Sequence, residues 1–234
     1  MGKKYQVNSR ASLRHSAIGD ERRPLLTVDQ FIHNPDDLIR EAVELYAQIE
    51  NDRSYFPGIR FPVSIDYQFA LLAGLGRSIE KVFDVNTSNI KSIESYFSIV
   101  NTKPSELTDL QKIPHFDFPL TKGLAAIHYL CNEGFGGTSF YKHNQTGYEY
   151  IDEQRFANYQ QVLSLELEGR TLPDKYIEGS NEFFTKIGGV DAQFNTISVY
   201  NGSTLHSGDI PTNYIYDAPV LQSRLTVTSF IHFK

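Results

Sequence analysis

The stretch Pro114-His115-Phe116-Asp117-Phe118-Pro119 decides the fold of this chain of 234 residues. In an extended strand, successive side chains point to opposite faces, so His115 and Asp117 share one face and Phe116 takes the other. An imidazole and a carboxylate on the same face can bind one metal ion. Because a tripeptide with two fixed residues also occurs by chance, its meaning depends on the segments around it.

The segments that follow have the pattern of strands. Residues 124–131 are mostly apolar, and the segment 136–141 with its Gly-Gly pair comes next. Residues 194–200 run into the turn pair Asn201-Gly202, beyond which lies His206. The closing segment alternates and puts Arg224, Thr226 and Thr228 on one face. His206 therefore supplies a possible third ligand from a distant strand, which completes a facial triad of two histidines and one carboxylate, typical of non-haem iron oxygenases.

The order of these motifs resembles the Fe(II)/2-oxoglutarate dioxygenases of the double-stranded β-helix fold, in particular the prolyl-hydroxylase-like group. The motifs are H-x-D, a Gly-Gly strand, a distal histidine before a glycine and a basic residue on the last strand. Residues 114–119, 136–141 and 205–208 are similar to a bacterial family of uncharacterised oxygenase-like proteins. The resemblance covers the chain from about Leu26 onward, and it says little about the substrate.

The resemblance implies that His115, Asp117 and His206 are both the catalytic residues and the ligands of Fe(II). The opposite face of the ion is then open for 2-oxoglutarate and dioxygen. The far carboxylate of 2-oxoglutarate needs a fixed cation, which the Arg224 guanidinium can provide through two parallel hydrogen bonds. Thr226, on the same strand face, adds a hydroxyl group.

A third candidate for binding the cosubstrate is Tyr141, which follows the Gly136-Gly137 pair and shares its strand face with Ser139 and His143. An aromatic side chain of the core is an equally good interpretation of Tyr141. His128 and His143 are expected to be hydrogen-bonded core residues, and the other histidines outside the triad are expected at the surface or in local structure: His15, His33 and His232.

One departure from the resembling enzymes concerns Arg224, which follows the distal histidine by 18 residues (224 − 206), a longer interval than is usual there. Residues 209–219 therefore form an inserted loop that includes Tyr214. We expect this loop to be mobile, to cover the metal and to contact the prime substrate. If Arg224 does not hold the cosubstrate, Lys142 and Arg60 are the alternatives.

Asp117 also restricts the reaction, since related radical halogenases have a small residue there and bind chloride instead. The expected reaction is hydroxylation of an unidentified prime substrate, with release of succinate and CO2. One alternative is a non-oxidative cupin-like metal protein, such as an isomerase, a hydrolase or a sensor, and another is a binding module that has lost turnover. A pocket large enough for 2-oxoglutarate favours the oxygenase, whereas a pocket filled by side chains favours the non-oxidative protein.

The order of elements indicates a mainly β protein with N-terminal helices, a double-stranded β-helix or jelly roll like that of the cupins. We expect a single oxygenase domain over residues 25–234 and an exposed arm over residues 1–24. Helices are predicted at residues 35–49, with Asn34 as the N-cap, at 65–83 and at 153–163. Residues 55–62 are predicted to be a loop because of their prolines.

Charge and cysteine content limit the partners. The net charge of −6 and the isoelectric point near 5.6 argue against a nucleic-acid-binding protein. The basic N-terminal stretch precedes no apolar segment, so neither a signal peptide nor a membrane anchor is expected. The single cysteine, Cys131, allows no intramolecular disulfide and suits the cytoplasm. The sequence does not indicate the oligomeric state.

Overall fold

The computed structural model describes residues 4–49 and 56–234. In these residues the chain forms three α-helices, α1 (Pro35–Tyr46), α2 (Ile65–Phe83) and α3 (Glu153–Leu167). Its strands are β1 (Ser12–Ile18), β2 (Arg23–Asp29), β3 (Gly58–Pro62), β4 (Ile90–Val100), β5 (Leu124–Tyr129), β6 (Thr138–His143), β7 (Phe184–Val190), β8 (Thr196–Asn201), β9 (His206–Gly208) and β10 (Leu225–Phe233).

These strands form two antiparallel sheets. The larger sheet has seven strands in the order β1-β2-β8-β5-β10-β4-β3, and the smaller has three in the order β7-β6-β9. Strands distant in sequence are neighbours: β10, the last, lies between β5 and β4. Together the sheets make a double-stranded β-helix, so the predicted fold class is confirmed.

The N-terminal helices belong to the largest apolar cluster, together with residues of the seven-stranded sheet. Leu38 of α1 and Leu71 of α2 pack in one cluster with Leu26 of β2, Phe97 of β4 and Val227 of β10, and each of these side chains is almost fully buried. Burying a side chain of this kind stabilises the fold by about 1.5–3 kcal/mol. The helices therefore brace the larger sheet from one side.

A second apolar cluster joins α3 to the smaller sheet. Tyr159 and Leu163 of α3 pack in it with Tyr141 of β6, Phe184 of β7 and Leu205. The N-terminus of α3 is capped by the Asp152 carboxylate, which accepts hydrogen bonds from the backbone N–H groups of residues 154 and 155. The helix extends to Leu167, beyond the predicted end at residue 163, and so covers the smaller sheet.

The two N-terminal helices agree with the sequence pattern. Helix α2 has the predicted bounds, and it ends at Asp84 in the left-handed conformation. Helix α1 ends at Tyr46, three residues before the predicted end. Asn34 occupies the N-cap position of α1, but its side chain makes no capping hydrogen bond, and Pro35 and the acids of the first turn provide the start signal.

The prediction of a loop at residues 55–62 was wrong for residues 58–62. Gly58–Pro62 form β3, which pairs with β4 at the edge of the larger sheet. Proline is tolerated at an edge because the strand needs hydrogen bonds on one side only. Residue 55 lies outside the described residues.

The segment predicted as an exposed arm contains strand β1. Six of its seven residues are exposed, yet the strand pairs with β2 over its whole length as the outermost strand of the larger sheet. Tyr5, earlier in the segment, is buried, and its hydroxyl group contacts the Glu41 carboxylate. Residues 1–3 lie outside the described residues.

Candidate metal centre

The three predicted metal ligands are brought together by backbone pairing at the end of the smaller sheet. His115 and His206 form a β-bridge in which each N–H donates to the carbonyl oxygen of the other, at 2.9 and 2.8 Å. The N–H of Asp117 donates to the Gly202 carbonyl at 2.8 Å. Residues 115–117 therefore do not form a regular strand, but these bonds keep His115 and Asp117 on the side of His206.

The potential ligand atoms of His115, Asp117 and His206 all lie within 4.8 Å of one another. Nε2 of His206 is 3.6 Å from Oδ2 of Asp117, and Nε2 of His115 is 4.0 Å from Oδ1. Oδ2 of Asp117 is buried and has no hydrogen-bond partner among the described residues. A buried carboxylate oxygen without a partner, beside two imidazole nitrogens, fits a divalent cation.

The protonation of His206 follows from its surroundings. Its Nδ1 lies 2.8 Å from the carbonyl oxygen of Thr204, and because a carbonyl only accepts, Nδ1 carries the hydrogen. Nε2 is then the unprotonated nitrogen, on the side of Asp117. The ring is fixed by the edge-to-face contact with Tyr200, at 4.9 Å between centroids. This arrangement prepares a histidine for metal binding.

The pKa values of His115 and Asp117, the other two candidate ligands, are shifted by burial. The pKa of His115 lies well below its usual value, first because the ring is desolvated and second because His206 and Arg60 are nearby. Burial raises the pKa of Asp117, and this outweighs the opposite effect of His206, Arg60 and His232. A neutral imidazole and a carboxylate whose charge is poorly compensated are both stabilised by a bound cation.

The three candidate ligands line an open cavity of about 480 Å³. Alternate residues of the last strand and the residue before it form one wall: Arg224, Thr226, Thr228, Phe230 and His232. The cavity has the size of ordinary small-molecule sites. Another cavity, of about 550 Å³, lies around Lys112, Leu172 and Phe183. No comparable set of metal ligands lies there within the described ranges.

Arg224 is held in place by the Gly-Gly segment. Its Nε donates to the carbonyl oxygen of Gly136 at 2.9 Å, and its Nη2 donates to that of Gly137 at 2.7 Å. Gly136 has a φ of +78°, and a Cβ at this position would lie 1.5 Å from the Asp209 carbonyl oxygen. Only glycine therefore allows the close approach that turns these two carbonyls toward the guanidinium. The Gly-Gly segment thus positions Arg224.

Two other candidates for the cosubstrate site have different surroundings. Thr226 lines the cavity, and its hydroxyl group lies 3.4 Å from the Ser98 carbonyl. Tyr141 does not line the cavity, and its assignment to the cosubstrate site was wrong. Thr138 is the residue of β6 that faces the cavity, so alternation directs Tyr141 to the opposite face, where α3 covers it.

The core histidines have the expected hydrogen bonds. His128 is fully buried, with Tyr67 at one ring nitrogen and Asn195 at the other. His143 is also buried, and its Nε2 lies 2.6 Å from the Glu166 carboxylate. Neither residue lines the cavity of the candidate metal centre.

His232 is a cavity residue that sequence reasoning missed. It lies on the wall formed by β10, and its ring packs on Phe118 at 4.8 Å between centroids. The alternation that places Arg224 and Thr226 on one face continues to position 232, so the sequence pattern could have identified His232 as a cavity residue. Of the two alternative cosubstrate cations, Arg60 lines the cavity, whereas Lys142 lies 3.5 Å from the Asp20 carboxylate and does not.

The inserted loop, residues 209–219, is packed on the protein near the cavity. Ile210 contributes to the cavity lining, and Tyr214 is buried. The Tyr214 hydroxyl donates to the Val100 carbonyl at 2.9 Å and accepts from the backbone N–H of Arg224 at 3.0 Å. Tyr214 therefore ties the middle of the loop to the end of β4 and to the start of β10.

Two solved structures resemble this fold over most of its length. HygX from Streptomyces hygroscopicus, with nickel and 2-oxoglutarate bound, is 14% identical, with a TM-score of 0.51, and the match covers 90% of this chain and 83% of HygX. The non-haem α-ketoglutarate-dependent epimerase SnoN from nogalamycin biosynthesis is 13% identical, with a TM-score of 0.52, covering 91% of this chain and 80% of SnoN. At such low identity the likeness shows the fold alone.

Further comparisons concern the whole chain. No curated protein matches this sequence. Within the part of the chain that the structure describes, no helix combines the length and the apolar character that crossing a membrane requires. The pattern of a family of unknown function, DUF6445, matches residues 9–231. The chain therefore belongs to the DUF6445 family.

Proposed function

We propose that this chain is an Fe(II)- and 2-oxoglutarate-dependent oxygenase of the prolyl-hydroxylase-like group, and that it hydroxylates its prime substrate with release of succinate and CO2. The observation that carries the proposal is the cluster of His115, Asp117 and His206 in the wall of an open cavity. The unpartnered Oδ2 of Asp117 supports a cation there. The cavity is open, which favours this function. In a non-oxidative metal protein we would expect side chains to fill the site.

In this proposal bound iron would activate dioxygen, which is the oxidant, and 2-oxoglutarate would supply two electrons as it is converted to succinate and CO2. The chain itself binds and orients. His206 presents Nε2 because Thr204 holds its Nδ1–H, and Asp117 supplies the negative charge that offsets the cation. His115 completes one face, which leaves the opposite face open.

The proposed site for the far carboxylate of 2-oxoglutarate is Arg224. Its Nε and Nη2 are bonded to the Gly136 and Gly137 carbonyls, and a guanidinium group has five N–H donors, so the Nη1 and Nη2 edge retains donors for a carboxylate. Because Arg224 is only 5% exposed, this pairing takes place away from bulk water, where it is stronger than at a surface. Thr226 lies next along the same wall and adds a hydroxyl group.

The outcome of substrate oxidation depends on how the prime substrate is held. SnoN is an epimerase, so chains with this fold do not all have one outcome. We propose hydroxylation because Asp117 occupies the carboxylate position, which leaves no place for chloride at the metal. We also propose that residues 25–234 act as one oxygenase domain and that the prime substrate enters the cavity beside Phe230 and Ile210.

The test is an anaerobic titration of the purified protein with Fe(II) and 2-oxoglutarate, followed by exposure to air and measurement of succinate. We expect a visible charge-transfer absorption that requires both ligands, and succinate release that requires iron. His206→Ala and Asp117→Ala should remove both signals and preserve the circular dichroism spectrum. His15→Ala, on the exposed face of β1, is the matched control. A wild-type protein that binds the metal without binding 2-oxoglutarate would instead be a non-oxidative metal protein.

A further inference from the structure

The cavity contains a second arginine, Arg60, whose charge the proposed reaction does not use. Arg60 lies on the edge strand β3 and pairs with Ser98 of β4, which pairs in turn with Thr226 of β10. Residues directly opposite in neighbouring antiparallel strands share a face of the sheet. Arg60 therefore reaches the cavity from the same face as Thr226, and it is one of the lining residues.

The Arg60 guanidinium has aromatic neighbours and no carboxylate partner among the described residues. Its centre lies 4.3 Å from the centroid of the Phe56 ring and 5.4 Å from that of Phe230. Its Nε is buried without a hydrogen bond to any part of the chain that the structure describes. Desolvation lowers the pKa of Arg60, and Asp117 is the first of the charges that oppose this shift. A guanidinium in such surroundings is stabilised by an anion that enters the cavity.

Arg60 and Arg224 are equipped for separate ligands. Arg224 uses Nε and Nη2 to bind backbone carbonyls and lies beside Gly208, whereas the guanidinium of Arg60 packs on Phe230. Residues 224 and 230 are six positions apart (230 − 224), roughly 20 Å along an extended strand. The two guanidinium groups therefore contact different parts of the cavity wall, and each can bind an anionic group of its own.

We propose that Arg60 binds a carboxylate of the prime substrate, and that this substrate is an organic acid with an apolar or aromatic body. The inference rests on the proposed function, in which Arg224 holds the far carboxylate of 2-oxoglutarate. The rings of Phe56, Phe118 and Phe230 form the part of the lining that an apolar body contacts. One planar guanidinium with aromatic flanks matches one planar carboxylate in shape and charge.

The experiment measures binding of matched acids and amides by calorimetry. The probes are benzoate, phenylacetate and 3-phenylpropionate, each compared with its amide, and the protein is loaded with Mn(II) and 2-oxoglutarate so that no turnover occurs. We expect at least one acid to bind the wild-type protein about 10- to 100-fold more tightly than its amide. In Arg60→Met, which keeps an apolar chain of similar length, the acid should bind as weakly as the amide. Arg60→Lys should recover part of the difference.

Several outcomes overturn the inference. It fails if acids and amides bind the wild-type protein equally, if no acid in the series binds, or if Arg60→Met keeps the preference for the acid. If Arg60→Met loses 2-oxoglutarate binding instead, Arg60 holds the cosubstrate. Titration of the wild-type protein with Mn(II) and 2-oxoglutarate alone separates this inference from the proposed function, because a protein that binds neither ligand contradicts the function itself. Titration of the acids into the unloaded protein then still tests Arg60. Thermal unfolding of each variant shows that it is folded.

Discussion

Nδ1 of His206 donates a hydrogen bond to the carbonyl oxygen of Thr204 at 2.8 Å, and this bond determines which nitrogen of the ring is available for a metal. Thr204 belongs to the turn that starts at Asn201, where the N–H of Thr204 donates to the Asn201 carbonyl at 2.9 Å. The Asn-Gly pair recognised in the sequence therefore does more than reverse the chain. It places the carbonyl that orients the distal histidine.

Asp117→Asn tests the charge of the candidate metal centre. The amide is similar in shape but neutral, so we expect Mn(II) affinity measured by calorimetry to fall about 10- to 100-fold or more. The metal-free variant should be as stable as the wild-type protein, or more stable, because burial disfavours the Asp117 charge. A variant that kept the wild-type affinity for Mn(II) would show that this carboxylate is not a ligand.

Arg224→Lys tests the cosubstrate site. Lysine keeps the positive charge but loses the planar fork and cannot make both bonds to the Gly136 and Gly137 carbonyls. We expect the dissociation constant of 2-oxoglutarate to rise about 10- to 100-fold, with Mn(II) affinity nearly unchanged. Lys142→Met is the control, since Lys142 pairs with Asp20 away from the cavity. Equal 2-oxoglutarate affinity in wild type and Arg224→Lys would indicate that Arg60, and not Arg224, binds the carboxylate of the cosubstrate.

The sequence could predict the features that depend on local periodicity. Helix α2 has the predicted bounds because its apolar residues recur at helical spacing along its 19 residues. The wall formed by Arg224, Thr226 and Thr228 follows from alternation within β10 alone. The triad depended on one long-range assumption, that the segments containing His115 and His206 are neighbours, and the β-bridge between them satisfies it.

Features that depend on which face of a strand points inward could not be predicted from the sequence. Phe140 and Tyr141 are adjacent, apolar and both fully buried, so the composition of β6 does not distinguish its two faces. Helix α3 covers one of them and thereby removes Tyr141 from the cavity. The position of Arg60 in the cavity depends on the pairing of β3 with β4. This is a non-local contact, and the prolines of the segment argue against a strand there.

Gly136→Ala tests whether the Gly-Gly segment positions Arg224. The added methyl group would meet the Asp209 carbonyl at 1.5 Å, and the φ of +78° is strained for alanine. We expect the free energy of unfolding to fall by about 1–3 kcal/mol and 2-oxoglutarate binding to weaken. Gly134→Ala is a matched control in the same turn, since a Cβ there has no neighbour within 4 Å. Similar effects of the two substitutions would argue against a special role of Gly136.

Tyr214→Phe tests the anchor of the inserted loop. The change removes one hydroxyl group that bonds to the Val100 carbonyl and to the backbone N–H of Arg224. Because these buried backbone groups lose a partner, we expect a loss of about 1–3 kcal/mol in denaturant unfolding, together with weaker 2-oxoglutarate binding. Ile215→Ala, at a side chain that is 70% exposed, should change neither quantity. Wild-type stability of Tyr214→Phe would mean that the loop is held by other contacts.

His128 predicts how stability depends on pH. Its Nδ1 lies 3.2 Å from the Tyr67 hydroxyl and its Nε2 lies 3.0 Å from Oδ1 of Asn195. That oxygen also accepts from the N–H of Ile32, so Nε2 is the donor, Nδ1 accepts from Tyr67, and the neutral ring is fully satisfied. Burial lowers the pKa of His128 from 6.5 to about 4. In the unfolded chain the ring takes up a proton near pH 6.5, whereas in the folded protein it resists protonation until about pH 4.

The His128 contribution to stability is therefore fully present above pH 6.5 and is lost as the pH falls toward 4. The loss amounts to about 3 kcal/mol, since each pKa unit corresponds to about 1.4 kcal/mol. His128→Gln should be less stable than the wild-type protein at neutral pH, because its amide does not reproduce both ring hydrogen bonds, but its stability should decline less between pH 6.5 and 4. The exposed His33→Gln should keep the wild-type dependence. Denaturant unfolding across this interval measures the difference, and parallel curves for His128→Gln and wild type would assign the acid sensitivity to other groups.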